Sequence, residues 1–256
     1  MKSRLSILAG GIVLAGSMFF VSAGVVGAAG PVASGPSGSG VCATQAAAVK
    51  AGATVDTLRA FGDCEINRRF TTLTDLSAKI SASKVITSGD AATIEGIISS
   101  TTSGLTSLKA TIDAETSIPA LKADIAKIAT EFRVYLVVVP QSHLTNAADG
   151  ILAAQAKFAT VNTNLTARIA AAKAAGKDTT SAQADLDAMN ASVNAAVNLA
   201  SPLPAQLLAL TPAEYNAGTA GPAITSARTA LGTARNDIKS AIASAQACRT
   251  ALNALK

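Results

Sequence analysis

The stretch EFRVYLVVVPQSH, residues 131–143, combines a dense apolar run, a proline and the only histidine of the chain. Its three consecutive valines suit a buried strand, so the residues upstream must decide. Ile118, Leu121, Ile125, Ile128, Phe132, Tyr135 and Val139 are spaced alternately three and four apart. That is a heptad seam, the mark of a helix packed along one stripe. A strand would demand a period of two. The valines are locally poor for a helix, yet the register carries through them and predicts a helix reaching Val139. Leu136, Val137 and Val138 widen the stripe to nearly the whole circumference, which predicts burial on several sides. Pro140 lacks a backbone donor and clashes with the preceding turn, so a kink or stop is expected there.

The same period extends outward in both directions. Ile66, Leu73 and Ile80, joined by Phe70 and Leu76, predict a helix over residues 54–82. SKVITSGD interrupts it, and Thr87 with Asp90 resembles a capping pair for a second helix carrying Ile94, Ile97, Leu105, Leu108 and Ile112. Beyond Pro140, Leu144, Ile151, Phe158, Leu165 and Ala172 recur every seventh residue and predict a helix over 141–175, with Gly176 as its C-terminal cap. Thr180 with Gln183 is expected to cap a helix bearing Leu186, Met189, Val193 and Val197, which SPLP at 201–204 then bends. Thr211, Pro212 and Glu214 form a strong helix start. Gly218 and Gly221-Pro222 break that short piece before a last helix on Ile224, Leu231, Ile238, Ala245 and Leu252.

Composition supports close helix-on-helix packing. The chain is 49% hydrophobic, much of it alanine, with 14% charged and 3% aromatic residues. Alanine buries little area, at about 25 cal/mol per Å², so a large globular core is not expected. The fold expected is all-α, an elongated antiparallel bundle of long helices with heptad seams over residues 42–256.

The N-terminus reads as an export segment. Lys2 and Arg4 precede an uncharged stretch from Leu5 to Ala29 that ends in small residues, the layout of a signal peptide over 1–29. Ala23, Ala28 and Ala29 each suit cleavage. Uncut, the same stretch is long enough to anchor the chain in a membrane. GPVASGPSGSG then supplies a Gly/Ser/Pro linker over 30–41. Without Lys2 and Arg4 the chain carries 19 bases against 16 acids, scattered and unclustered. Nucleic-acid binding needs a basic face with stacking aromatics, so no nucleic-acid partner is expected.

Cys42, Cys64 and Cys248 lie beyond the linker, and in an exported protein one disulfide and one spare thiol are the default. If the first and last long helices run antiparallel, Cys64 and Cys248 sit closest in height. That pairing is the one expected, although the spacing leaves the others open. Three isolated cysteines and one distant histidine do not form a zinc set, and no metal or cofactor is expected.

No catalytic set is expected either. His143 has Ser142 and Thr145 beside it and Asn146 within helical reach, but a nucleophile, base and orienting group are not arranged in a recognised way. Asp185 and Asp187 point apart on a helix, while Asp124, Lys127 and Glu131 read as solvated surface charge. Asn164 and Asn190 match glycosylation sequons.

Cys64, Glu65, Ile66 and Arg69, followed by Ile80, Ser83, Lys84 and Thr87, then Arg133, Val134, Tyr135, Pro140 and Leu144, form a spaced pattern. Over residues 64–176 it resembles a family of uncharacterised secreted bacterial helical proteins. Gln141 and the low charge depart from the more Lys-rich pattern of that family. The resemblance implies export and a helical fold, and carries no activity with it.

Together these features lead to the expectation of an exported, non-enzymatic helical protein at the cell envelope or outside it. Its partners would be proteins, or a second copy, met through helix faces. Membrane contact would run only through an uncleaved N-terminal segment. A membrane-active bundle using the apolar turn at 136–140 and a hydrolase without a recognisable motif are the alternatives.

Overall fold

The expected helical period decides the structure of nearly every segment. A computed structural model describes residues 40–255, and among them there is no strand. The expected signal segment and all but the end of the linker lie outside the described residues. The helices, in chain order, are α1 (Ala43–Ala51), α2 (Val55–Ala82), α3 (Ser88–Ala114), α4 (Ile118–Thr130), a π-helical segment (Val134–Val138) and α5 (Val139–Ala174). They continue as α6 (Thr180–Ala200), α7 (Leu203–Leu208), α8 (Pro212–Asn216) and α9 (Ala220–Ala254).

Local chemistry sets the boundaries. Thr87 Oγ1 accepts the Asp90 N–H (3.1 Å) at the start of α3. At α8 the Thr211 hydroxyl and Glu214 carboxylate satisfy each other's backbone N–H groups as a capping box. Gly176, at φ +74°, closes α5, with the Lys177 N–H on the Ala172 carbonyl and the Gly176 N–H on that of Lys173. The cap expected from Thr180 is corrected. Thr180 is the first helical residue of α6, and its N–H is met by the Asp178 carboxylate (3.0 Å).

Two sets of helices share the described chain. In the first, α2 packs on α3 and α4. Ser77 bonds Glu95 and Asp63 pairs with Lys109, so α2 and α3 run antiparallel. Ile66, Leu73, Ile94, Leu105, Ile112 and Leu121 form its fully buried core. In the second, α6 lies against both α5 and α9. Its packing is built on small residues: Ala182, Ala196, Ala234 and Ala241 are at most 1% exposed. With so little side chain between them, α6 and α9 approach closely along most of their length. One core cluster joins Ile151 of α5 to Ala196 and Leu231, and another joins Leu165 to Met189 and Leu252. These pairings make α6 antiparallel to α5 and α9.

Two expectations are corrected. The disulfide is Cys42–Cys64, and Cys248 is a buried free cysteine, so Cys64 and Cys248 are not paired. The height argument fails because α2 packs on α1, α3 and α4 while α9 packs on α5 and α6. The expected helix through Val139 is also interrupted. It ends at Thr130, and Arg133 takes a left-handed conformation at φ 42°. The chain re-enters as a π-helix whose closing bond runs from the Val139 N–H to the Val134 carbonyl. Pro140 therefore falls near the start of α5, where the ladder changes from the wide to the ordinary turn and its missing donor is tolerated. The seam itself still faces the first core, with Leu121 and Ile128 buried and Phe132, Tyr135 and Val139 packed against it.

Candidate functional site

The interruption at 131–133 is held by side chains from distant parts of the chain. Arg133 Nε and Nη2 donate to Asn216 Oδ1 (2.8 and 2.6 Å), and Asn216 Nδ2 donates to the Thr130 carbonyl (2.8 Å). The Arg133 guanidinium also lies over the Tyr215 ring, 5.1 Å from its centroid. On the other side, Phe132 presses on α3 at Gly104. A non-glycine residue in the left-handed region costs roughly 1–2 kcal/mol, and these contacts over-determine it.

The π-helical segment is pinned to α2 by a polar cluster. Glu65 Oε2 accepts from Arg68 Nη2 and Arg69 Nη1, both at 2.6 Å. The two guanidinium groups lie 4.9 and 5.2 Å from the centroid of the Tyr135 ring. Thr72 Oγ1 meets the Tyr135 hydroxyl at 3.3 Å. Glu65, Arg69 and Tyr135, three residues of the spaced pattern, thus meet in one place. Ser83 and Thr87 of the same pattern join the α2–α3 connection to α5, Ser83 donating to Asn146 Oδ1 (2.6 Å) and the Thr87 N–H to Asp149 Oδ2 (2.9 Å).

Between these fastenings lies a groove of ≈ 500 Å³. One wall is a face of α3 carrying Gly96, Ile97 and Ser100, and the other is the α7–α8 connection with Leu210 and Pro212. Val137 and Val138 form its floor, Phe132 and Glu131 its rim, and Gln141 lines it from α5. Gln141 is only 1% exposed, and its Oε1 has no hydrogen-bond partner. One and two turns further along α5, Thr145 Oγ1 and Asp149 Oδ1 are likewise buried and unpartnered. Buried polar atoms are nearly always satisfied, so this stripe of α5 carries an unusual share of polar side chains into the interior. Burial pushes the Asp149 carboxyl above its ordinary pKa, against the lowering effect of the Thr87 N–H, and nearby Asp90 adds to the rise.

The chemical candidates from the sequence are dispersed. Ser142 spends its hydroxyl on the Val138 carbonyl (2.7 Å), Thr145 is buried, and Asn146 serves Ser83. His143 is exposed, yet packed neighbours desolvate its ring enough to lower its pKa, with Lys79 contributing. Asp187 accepts from Gln183, and Glu131 is exposed beside the groove, whereas Asp124, expected as solvated surface charge, is instead buried at 7% exposed and paired with Lys127. Asp185 raises the pKa of the Cys248 thiol, after burial as the larger cause. Asn164 is exposed, whereas Asn190 donates to Asn162 across the α5–α6 contact. Among the described residues no cluster of His, Cys, Asp and Glu could hold a metal ion. No described helix is long and apolar enough to cross a membrane.

No protein-family model, curated protein or solved structure matches this chain. Asp149, Asn216 and Gly104 do not stand out in the sequence, and Gln141 does so only as a departure from a Lys-rich pattern. Gln141, Thr145 and Asp149, polar residues at every fourth position on one helical stripe, were the available signal.

Proposed function

We propose that the protein is exported and acts at the cell envelope or outside it, through non-covalent contact on its helix faces and grooves. The observation that carries this is the Cys42–Cys64 disulfide. Structural disulfides persist in oxidising compartments, and this one fastens the first described helix, beyond the linker that follows the segment reading as an export signal. The resemblance to secreted helical proteins agrees with it. The burial of Val134, Val137 and Val138, each at most 2% exposed, favours this reading over a membrane-active tip at 136–140. A partner protein or a second copy of the chain is the expected occupant of the exposed helix faces.

Location and turnover test it together. The native protein is expected in the medium or envelope fraction and inert toward hydrolase substrates. Turnover that disappears in a His143→Ala variant would overturn the non-enzymatic reading, and retention in the cytoplasm would overturn export.

A further inference from the structure

Every ion pair among the described residues lies in the first set of helices, between Asp56 and Lys127. The second set is charged differently. From Gly150 to Lys177 the chain carries Lys157, Arg168, Lys173 and Lys177 and no acid. Helix α9 carries Arg228, Arg235, Lys239 and Arg249 against a single acid, Asp237. Helical period gathers most of these cations on one line. Arg228, Arg235, Ile242 and Arg249 recur every seventh residue of α9, with Lys239 one turn from Arg235 and Ile242, so they share a flank. Asn253, one turn beyond Arg249, accepts from Arg168 Nη2 of α5 (2.8 Å), so that flank borders α5. The two helices run parallel, and eleven residues before this bond, three turns back on each helix, Lys157 and Ile242 stand at one level. Asp237 falls on the opposite flank of α9, and the Asn162–Asn190 bond marks the flank of α5 that is turned to α6.

The geometry points to this stripe, along the seam of α5 and α9, as the docking surface for an extended polymer of repeating phosphate groups without nucleobases. Lys157, Arg168, Arg228, Arg235, Lys239 and Arg249 lie on it with no acid among them, and the α9 part alone is about 30 Å long. Cations held together without counter-charge repel, and a polyanion that covers them removes the repulsion and releases condensed counterions. Four of the six are arginine, whose planar fork matches phosphate geometry, and Asn253 already fixes the Arg168 guanidinium. The stripe is long and narrow, following two parallel helices, which suits a chain better than a broad surface. It carries no aromatic side chain on which a base could stack, so a nucleic acid is disfavoured. At its centre Ile242, 36% exposed, faces solvent level with Lys157. The cations are scattered in the sequence, and only the pairing of α5 with α9 aligns them. This goes beyond the protein contacts proposed above and depends neither on them nor on export.

Inorganic polyphosphate with chains longer than the stripe is the probe, titrated into the native protein by calorimetry. Binding should be saturable and weaken about a hundredfold between about 50 and 200 mM salt, as about five phosphate contacts require. Lys157→Gln with Lys239→Gln and Arg249→Gln removes three exposed cations of the stripe and should lower the slope of log affinity against log salt by about two. Ile242→Glu sets an acid at the centre and should weaken binding further than any single cation loss. Lys173→Gln with Lys177→Gln removes two exposed cations that lie off the stripe and should leave the slope unchanged. All these positions are exposed, and thermal melts matching the wild type check that each variant folds. No saturable binding at about 50 mM salt, or as large a loss per cation in the Lys173 and Lys177 variant, would overturn the inference. So would tighter binding, at equal charge, of oligodeoxythymidylate, polyglutamate or phosphatidylglycerol vesicles.

Discussion

Gly104 and Phe132 meet with no room for a side chain between them. A Cβ on Gly104 would lie 2.5 Å from Phe132 Cε1. Phe132 is the residue at which the α4 seam stops being helical, so this contact docks the interruption on α3.

Gly104→Ala should therefore lose about 1–3 kcal/mol of stability, as overpacking typically costs. Gly104→Ala combined with Phe132→Leu should recover part of it, because the smaller side chain withdraws the ring. Gly62→Ala meets Ile112 and Ile125 side chains at 3.3 Å and should cost less. Chemical denaturation of these three variants and of Phe132→Leu alone checks this, and additive losses in the double variant would place Phe132 elsewhere.

Arg133 carries two opposing effects. Its side chain staples the break through Asn216, while its backbone sits in the region that favours glycine. Arg133→Ala loses the staple and keeps the backbone cost, whereas Arg133→Gly loses the staple and relieves that cost. The glycine variant should be the more stable of the two by about 1 kcal/mol. Equal stability, or a more stable alanine variant, would mean that residue 133 is not left-handed.

Reducing the disulfide should release α1 and little else. The bond closes a separation of 22 residues, a constraint on the unfolded chain worth about 3 kcal/mol. Yet α1 buries no residue of its own fully. In the reduced protein, hydrogen exchange at 43–51 should become fast while α2 to α9 stay protected. Loss of protection in α6 and α9 at the same time would contradict this.

Asp149 predicts a pH dependence. Its folded pKa is raised above 3.8, mainly by burial, so the ionised carboxylate opposes folding. Its favourable contribution is complete below that value and is lost as pH rises through the folded pKa. Asp149→Asn keeps an acceptor for the Thr87 N–H and removes the charge. The variant should gain on the wild type as pH rises above about 4, whereas Asp149→Ala should lose about 1 kcal/mol by orphaning that N–H. Thermal melts from pH 3 to 7 read both, and parallel curves for wild type and Asp149→Asn would refute the assignment.

The legible part of the fold was what local chemistry dictates. Thr87 with Asp90, Thr211 with Glu214, and Gly176 each act within one turn, and each ends or starts a helix as the sequence implies. The heptad positions face the core for the same reason. The break at Arg133 was not legible, because Asn216, 83 residues away, holds it. The cysteine pairing needed to know that α2 and α9 belong to different packing sets. Gln141 stood out in the sequence only as a departure from a Lys-rich pattern, and its place in the groove depends on the α7–α8 connection.

Intact mass with a free-thiol count on the native protein, taken from separated medium, envelope and cytoplasmic fractions, tests the account most directly. It predicts a chain outside the cytoplasm that begins after residue 23, 28 or 29, with Cys42 linked to Cys64 and a single thiol, Cys248, reactive only once unfolded. A chain retaining Met1 in the cytoplasm with three reduced thiols, or one bearing a Cys64–Cys248 link, would contradict it.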